Sequence, residues 1–384
     1  MAAALKLALS TLCEHPARKT GLSSLFHELV EHSLALFDDL RWIVFAGSGQ
    51  AWAVDSPRVE VVRRYPANDR LGPRLLADHF LVPGAARRLG ADALVTVGFV
   101  PIRKTLPTVM HLLSLQHLDR TNRVGFARRL YRGLIVDRSV RRADLLITNS
   151  EFAAGQIRRA YPDCAARLLI SPEGMQHEQF RPEKEPGETA TLETKFGLAP
   201  GYLLWTSNFY PYKQAPLLLD AYARLDPALR RRRPLVMVGG NWGGAEAARA
   251  QAARLGIADD VRLLGWVDDA DLAPLYRGAR AFVLASREET FGRCVPEAMA
   301  CGTPCVVNDI PIMHEVTGGH ARIVDFRDAP AAAAALTAVL DDDALHARLR
   351  AEGLPWTAQY SFDRLAAERV AGVRAALGRA RAKD

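Results

Sequence analysis

Short runs of apolar, β-compatible residues alternate along the chain with segments in which apolar residues recur every three or four positions. The runs predict buried strands, and the longer periodicity predicts amphipathic helices that pack on them. The first run is Leu5–Leu12, and helical periodicity then begins at Leu22, with Leu25, Phe26 and Leu29 on one face. Such alternation predicts a doubly wound domain built on a parallel sheet. The other strand-like runs of the first half are Trp42–Ala46, Ala93–Val97, Thr108–His111, Ala143–Ser150 and Leu168–Gly174.

The second half repeats this pattern after a polar stretch. Residues 182–200 are rich in Glu, Lys, Pro and Gly, a composition typical of a linker. The sequence therefore predicts a first domain at 1–182, a second at 183–355 and a helical C-terminal segment at 356–384. The strand-like runs of the second half are Tyr202–Thr206, Leu235–Val238, Val261–Val267, Ala281–Ala285, Val306–Asn308 and Ile323–Asp325.

Composition and charge agree with two globular domains and limit the partners. The chain has 384 residues, of which 49% are hydrophobic and 24% charged, and this length suits two domains better than one. A net charge of +7 favours anionic partners, namely nucleotide diphosphates, an anionic membrane surface or nucleic acid.

Cysteine usage and the apolar start of the chain exclude further classes. The five cysteines contain no C-x-x-C pair, so reduced thiols are expected and no zinc or redox centre is predicted. No apolar run reaches transmembrane length. Residues 1–12 are apolar, but Lys6 interrupts them and no small-residue cleavage site follows, which favours a buried strand over a signal peptide.

Two glutamates flank the start of one predicted helix in the second half. After the strand-like run Ala281–Ala285 the chain opens into a loop that holds Gly292, and a helix follows with Pro296 in its first turn. Glu289 lies just before that helix and Glu297 just inside it. A helix N-terminus suits an anion, whereas carboxylates accept hydrogen bonds from vicinal diols. An anion that carries hydroxyls, such as a sugar nucleotide, satisfies both.

These residues carry a family resemblance. Glu289-Thr-Phe-Gly-Arg-Cys-Val-Pro-Glu297, continued by Ala298-Met-Ala-Cys-Gly-Thr-Pro304, resembles the two-glutamate signature of retaining glycosyltransferases of the family-4 type. The spacing of two glutamates alone is a weak signal, and the neighbouring residues in register make it specific. The resemblance implies the GT-B fold, in which two Rossmann-like doubly wound domains face a cleft and the final helix crosses back onto the first domain.

The resemblance also implies a reaction and a set of donor contacts. A hexose would pass from a nucleotide diphosphate sugar to a hydroxyl with retention of configuration, without a metal or other cofactor. Lys213 matches the lysine that touches the diphosphate, but Ser207 and Asn208 stand where the family has Gly-Arg, so Arg293 is the candidate for the second cation. The donor-binding residues implied by the resemblance are Gly21, Asn208, Lys213, Val267 (through its backbone, at the base), Phe291, Gly292, Arg293 and Glu297, with Glu289 at the sugar.

The first domain carries weaker signals. The family places a His-Asp pair at the end of a strand facing the donor sugar; here His111 matches, Leu112 replaces the aspartate, and His117 is a rival for the same role. The basic helix predicted at 123–142 interleaves arginines with apolar residues, and it is either a solvated face or a surface that rests on anionic lipid through Arg128, Arg129 and Arg132.

Several functions remain compatible with these motifs. The preferred one is a hexosyltransferase of bacterial cell-envelope polysaccharide or glycolipid synthesis that uses a saccharide or lipid-linked saccharide acceptor and no nucleic acid. It would be cytoplasmic, either free or peripheral at the inner face of the cell membrane. The alternatives are a soluble disaccharide or glucan synthase, a sugar-nucleotide epimerase, and a non-catalytic GT-B binding protein. The glycines of 239–244 lack the G-x-G-x-x-G pattern, so a dinucleotide site is not predicted.

Overall fold

The computed structural model describes residues 4–14, 21–113, 126–241 and 243–382. The chain divides into two compact units, the first formed by residues 1–174 with 362–384 and the second by residues 175–361. The sequence placed these divisions at 182/183 and 355/356.

The first unit is built on a seven-stranded parallel sheet with the order β3-β2-β1-β4-β5-β6-β7. The edge strand β3 is the one that the sequence pattern did not predict, because most of its residues are at least partly exposed and several are charged. The strands are β1 Leu5–Ser10, β2 Leu40–Gly47, β3 Val59–Tyr65, β4 Ala93–Val97, β5 Thr108–His111, β6 Leu145–Thr148 and β7 Leu168–Ile170.

Helices cover both faces of this first sheet. One face packs against α1 and the C-terminal helix, and the core there includes Phe26, Trp42 and Val370. Between α2 and α3 the chain makes one π turn, Ala77–Leu81. The helices are α1 Gly21–Leu36, α2 Leu71–Leu76, α3 Val82–Arg88, α4 Phe126–Arg142, α5 Glu151–Ala160 and the C-terminal helix Phe362–Arg381, with a 3₁₀ turn at Pro162–Arg167.

The second unit is built on a six-stranded parallel sheet with the order β10-β9-β8-β11-β12-β13. Its strands are β8 Tyr202–Thr206, β9 Leu235–Val238, β10 Val261–Gly265, β11 Ala279–Leu284, β12 Cys305–Asn308 and β13 Arg322–Val324. Its helices are α6 Glu188–Phe196, α7 Ala215–Tyr222, α8 Pro227–Arg232, α9 Ala245–Arg254, α10 Asp269–Gly278, α11 Cys294–Ala300, α12 Pro311–Thr317, α13 Ala329–Asp341 and α14 Asp343–Trp356.

Two boundaries differ from the sequence expectation. The C-terminal helix begins at Phe362 and not at Trp356, because Trp356 ends α14 and its indole N–H donates to the carbonyl oxygen of Val316 at 2.8 Å. The predicted linker contains helix α6, which ends at Gly197 in the left-handed conformation. Its sequence lacks a wide apolar face, so periodicity did not reveal it. Within the described residues, no helix is long and apolar enough to span a bilayer.

A buried ion pair fixes the start of α6 to the second unit. The guanidinium of Arg277 donates from Nε and Nη2 to the carboxylate of Glu188, the shortest contact being 2.6 Å, and both side chains are at most 4% exposed. We expect Glu188→Ala to lower the free energy of unfolding by about 3–5 kcal/mol, because it leaves a buried guanidinium without its carboxylate.

Urea titration of the full chain, followed by circular dichroism, measures this loss. Glu185→Ala is the matched control, since Glu185 pairs with Arg181 on the exposed side of the same segment and such pairs contribute about 0–1 kcal/mol. Equal stability of the two variants would contradict the anchoring role of Glu188.

Candidate active site

The predicted donor residues of the second unit collect at the carboxyl edge of its sheet. Because every strand is parallel, the loops after β8, β9, β10 and β11 all emerge at this edge, where open α/β sheets bind their ligands. Lys213 ends the 3₁₀ turn after β8, and Glu289 lies in the loop after β11. The backbone N–H of Arg287 donates to the carbonyl oxygen of Tyr212 at 2.8 Å and ties these two loops together.

Lys213 and Glu289 form a largely buried ion pair. The ammonium Nζ of Lys213 donates to Oε1 of Glu289 at 2.7 Å, and their side chains are 14% and 7% exposed. Burial lowers the pKa of Lys213, but the Glu289 carboxylate, together with Cys294 and Tyr212, more than offsets this effect and the net pKa is raised. Lys213 therefore keeps its positive charge. The two residues, which separate sequence motifs predicted, are in direct contact.

The second glutamate is held by two donors. Nε of Arg293 donates to Oε1 of Glu297 at 3.1 Å, and the hydroxyl of Tyr276 donates to Oε2 at 3.3 Å. Burial, and then the Glu297 carboxylate, raise the pKa of Tyr276 well above its usual value, so the phenol keeps its proton. Since that proton goes to Glu297, the hydroxyl of Thr206, 2.9 Å away, donates to Tyr276. This chain of donors fixes the orientation of the Glu297 carboxylate.

Sequence reasoning missed Tyr276 and Thr206. Tyr276 lies among the apolar positions of α10 and is 1% exposed, so its spacing predicts a core residue. Thr206 is the last residue of β8 and carries no motif. No sequence signal in a single chain separates this tyrosine from an ordinary buried one.

Gly292 allows the loop before α11 to pass close to its neighbours. Its φ is +80°, and a Cβ built there would lie 2.8 Å from Cε of Met313 and 3.5 Å from Cγ of Glu289. A larger residue would therefore strain the backbone and clash with Met313, while it would only touch Glu289. Phe291 is buried edge-on against Tyr360, with ring centroids 5.3 Å apart. The helix that follows, α11, is only seven residues long.

Asn208 joins two loops of the site. Its side-chain oxygen accepts from the backbone N–H of Gly240 at 3.2 Å. At Gly239 a Cβ would lie 1.8 Å from the carbonyl oxygen of Ser207, so only glycine permits this approach. In this structure Asn208 thus holds the loop after β9 against the loop after β8. Val267, predicted at the nucleobase, is largely buried just beyond β10 at the same edge.

Two predicted site residues, His111 and Gly21, belong to the first unit. His111 is the last residue of β5, is 1% exposed and lies 5.4 Å from the ring of Phe26. Burial, and then Arg369, lower its pKa well below the usual value, and no described residue hydrogen-bonds to its ring nitrogens. Gly21 is the first residue of α1. The role of His111 at the sugar stays a prediction, and the rival His117 lies outside the described residues.

The sequence profile of the family described as Glycosyl transferases group 1 matches residues 193–354, which lie within the second unit. The second unit is a group 1 glycosyltransferase domain. The predicted resemblance is thereby confirmed at the level of group 1 glycosyltransferases. Glu289, Glu297 and Lys213 all fall inside the matched range.

Individual relatives agree with the group 1 assignment. O-antigen chain mannosyltransferase B of Escherichia coli is 32% identical over 223 residues, which are 58% of this chain and 58% of that protein. The chain thus spans less than two thirds of this relative's length. Sucrose-phosphate synthase from Thermosynechococcus elongatus has a TM-score of 0.79 at 21% identity, over 96% of this chain and 98% of that one. HepE of Anabaena, solved with UDP and glucose, has a TM-score of 0.73 at 18% identity, over 97% and 100%.

These two solved structures show the fold, which is the predicted GT-B fold. The group 1 domain supplies the carboxylates and the cation described above. Among the described residues, no cluster of three or more His, Cys, Asp or Glu side chains is arranged to hold a metal ion.

Proposed function

We propose that this chain transfers a hexose from a nucleotide diphosphate sugar to a hydroxyl acceptor with retention of configuration and without a metal ion. The buried Lys213–Glu289 pair, 2.7 Å apart at the carboxyl edge of the second sheet, is the observation that carries the proposal. A largely buried cation beside a largely buried carboxylate suits a ligand that has both a diphosphate and sugar hydroxyls. That HepE was solved with UDP and glucose supports this class of donor.

Each residue then has a distinct task. Lys213 stabilises the diphosphate as the bond to the sugar breaks and negative charge grows on the leaving group. Glu289 accepts hydrogen bonds from sugar hydroxyls near the reacting carbon. Arg293 and Tyr276 orient the Glu297 carboxylate, and a carboxylate can accept hydrogen bonds from a vicinal diol. We assign the ribose diol to Glu297.

The second cation of the family pattern is absent from its usual place at Asn208. Arg293 is the substitute that we propose, because it lies one turn from Glu297 and its side chain is 26% exposed. With α11 only two turns long, fixed cations carry more of the charge stabilisation than the helix dipole does.

The acceptor that we propose is a saccharide, free or lipid-linked, at the inner face of the cell membrane. The resemblance to an O-antigen chain mannosyltransferase supports an envelope polysaccharide. A net charge of +7 suits an anionic membrane surface. The prediction that Arg128, Arg129 and Arg132 contact lipid stays a prediction, since the structure describes the backbone of α4 there but not these side chains.

Thermal unfolding of the full chain with UDP-, GDP- and ADP-sugars tests the donor. We expect one nucleotide to raise the unfolding temperature, because a ligand at 100 times its Kd adds about 2.7 kcal/mol of stability. Incubation with that donor, EDTA and sugar acceptors, followed by NMR of the anomeric proton, then tests the reaction. An inverted anomer, dependence on a divalent cation, or isomerised free sugar would each contradict it, the last in favour of an epimerase. Donor protection without transfer or donor hydrolysis would indicate a binding protein.

A further inference from the structure

Most of the large apolar side chains that the described residues leave exposed lie in the first unit. We use the name apolar patch for five of them, of which Leu134 is 64% and Leu76 57% exposed. A soluble surface seldom groups so many large apolar side chains, and such groups mark interaction sites. The members of the apolar patch are Leu76, Phe80, Leu81, Ile102 and Leu134.

Hydrogen bonds join the three segments that carry the apolar patch. The N–H of Arg103 donates to the carbonyl oxygen of His79 at 3.1 Å, which holds the loop after β4 against the π turn. Nη2 of Arg138 donates to the carbonyl oxygen of Ile102 at 3.1 Å, which holds the same loop against α4. Leu134 lies one helical turn before Arg138, on the same face of α4. The π turn, the loop after β4 and α4, which carry members of the apolar patch, therefore lie next to one another in the first unit.

The π turn inverts the usual order of polar and apolar side chains. Asp78 is buried, and its carboxylate accepts from the hydroxyl of Ser10 at 2.6 Å and from Nη1 of Arg74 at 3.2 Å. Phe80 and Leu81, two and three residues further on, point outward. Burying a carboxylate costs free energy unless it is fully hydrogen-bonded. The hydrogen bonds of the buried Asp78 thus fix the π turn in a conformation that leaves Phe80 and Leu81 exposed to solvent.

Cations border the apolar patch. Leu134, Arg138 and Arg141 are spaced by four and three residues and share one face of α4. Arg138 is half-buried, whereas Arg103, Arg141 and Arg142 are exposed, and Arg141 pairs with its acidic neighbour Asp137 at 3.5 Å. Apolar side chains surrounded by arginines match a surface with anionic headgroups above acyl chains.

We propose that the apolar patch inserts into an anionic lipid bilayer while the bordering arginines contact its headgroups, which rests on the proposed membrane-linked acceptor. The first unit is thereby brought to the surface where a lipid-linked saccharide would be presented. The segment responsible is the π turn with the loop after β4 and the middle of α4. The arginines predicted from the sequence lie nearer to the start of α4.

Co-sedimentation of the full chain with vesicles tests the proposal. We expect binding to vesicles of phosphatidylcholine with phosphatidylglycerol but not to pure phosphatidylcholine. The triple variant Phe80→Ser, Ile102→Ser, Leu134→Ser should bind the anionic vesicles at least about tenfold more weakly, because three apolar side chains no longer leave water. The matched control is Leu36→Ser with Leu255→Ser, since both leucines are similarly exposed and lie outside the apolar patch; it should bind as the unchanged chain does.

Salt separates the two contributions. Raising the salt concentration should weaken the binding of the unchanged chain to anionic vesicles but not abolish it, because salt screens the arginines and not the apolar insertion. The triple variant should lack this salt-resistant part of the binding. Equal binding by the triple variant, or complete loss of binding of the unchanged chain in salt, would overturn the insertion of the apolar patch.

Two further outcomes would also contradict the membrane proposal. If the triple substitution abolishes self-association in solution and leaves vesicle binding unchanged, the apolar patch is a protein interface and the proposal is wrong. If the unchanged chain ignores anionic vesicles yet is protected from heat by a nucleotide sugar, the membrane proposal fails and the transferase proposal stands. Circular dichroism of each variant verifies that it is folded.

Discussion

Lys213→Ala is expected to lower kcat by about 10²–10³-fold and also to raise KM. Removing one preorganised contact to a developing anion costs about 2.7–4 kcal/mol, and the contact strengthens as the diphosphate leaves. Lys213 is placed for this role by its pair with Glu289 at 2.7 Å and by its own burial. Steady-state kinetics with the nucleotide sugar found by thermal protection measure both parameters.

The same substitution leaves the buried Glu289 carboxylate without its partner, so part of the lost activity could come from lost stability. The double variant Lys213→Ala, Glu289→Ala separates these effects. It should recover stability relative to Lys213→Ala, since no buried charge is left unpaired, but it should not recover kcat. Arg287→Ala is the control, because Arg287 is exposed and pairs with Glu288 at the surface. A Lys213→Ala enzyme with unchanged kcat and only a higher KM would refute the role in charge stabilisation.

Glu297→Ala and Glu289→Ala are expected to fail in different ways. Hydrogen bonds to charged groups are worth about 1.5–3 kcal/mol, so Glu297→Ala should weaken binding of the free nucleoside diphosphate about 10- to 150-fold. Glu289→Ala should bind the free nucleotide normally and lose a similar factor in kcat, because its proposed partner is the sugar. Calorimetric titration with nucleotide and steady-state kinetics measure the two quantities.

Glu288→Ala is the matched control for both glutamates, since Glu288 precedes Glu289 but pairs with Arg287 on the surface. Glu297→Gln adds a second test, because it keeps the size of the side chain near Tyr276 while removing the charge. An equal loss of nucleotide affinity in Glu289→Ala and Glu297→Ala would eliminate the proposed division between sugar and ribose.

The fold of the two units and the grouping of the candidate site residues in the second unit could be predicted from sequence because their signals are local. Apolar runs such as Ala93–Val97 and Thr108–His111 become strands with the predicted limits, since buried parallel strands must be apolar throughout. The exposed edge strand β3 and the polar helix α6 lack that signal, because few of their side chains reach a core.

Contacts between distant segments could not be predicted. The motif identified Lys213 and Glu289 as separate ligands of a donor, but their ion pair depends on how the loops after β8 and β11 meet. Tyr276 is recognisable only from its distance to Glu297. The apolar patch could not be predicted from the sequence because Phe80 and Leu81 have the spacing of core residues. Only the π turn directs their side chains outward.

The first unit is assembled from both ends of the chain, and this fact sets an order of events during synthesis. The second unit, 175–361, is continuous and is complete before the ribosome reaches the C-terminal helix. Until residues 362–381 leave the ribosome, the apolar face formed by α1 and the first sheet is not covered by the C-terminal helix and stays exposed. The N-terminal part of the chain therefore finishes folding last, in contrast to the usual vectorial order. Nascent chains are most exposed to aggregation and chaperone binding in that interval.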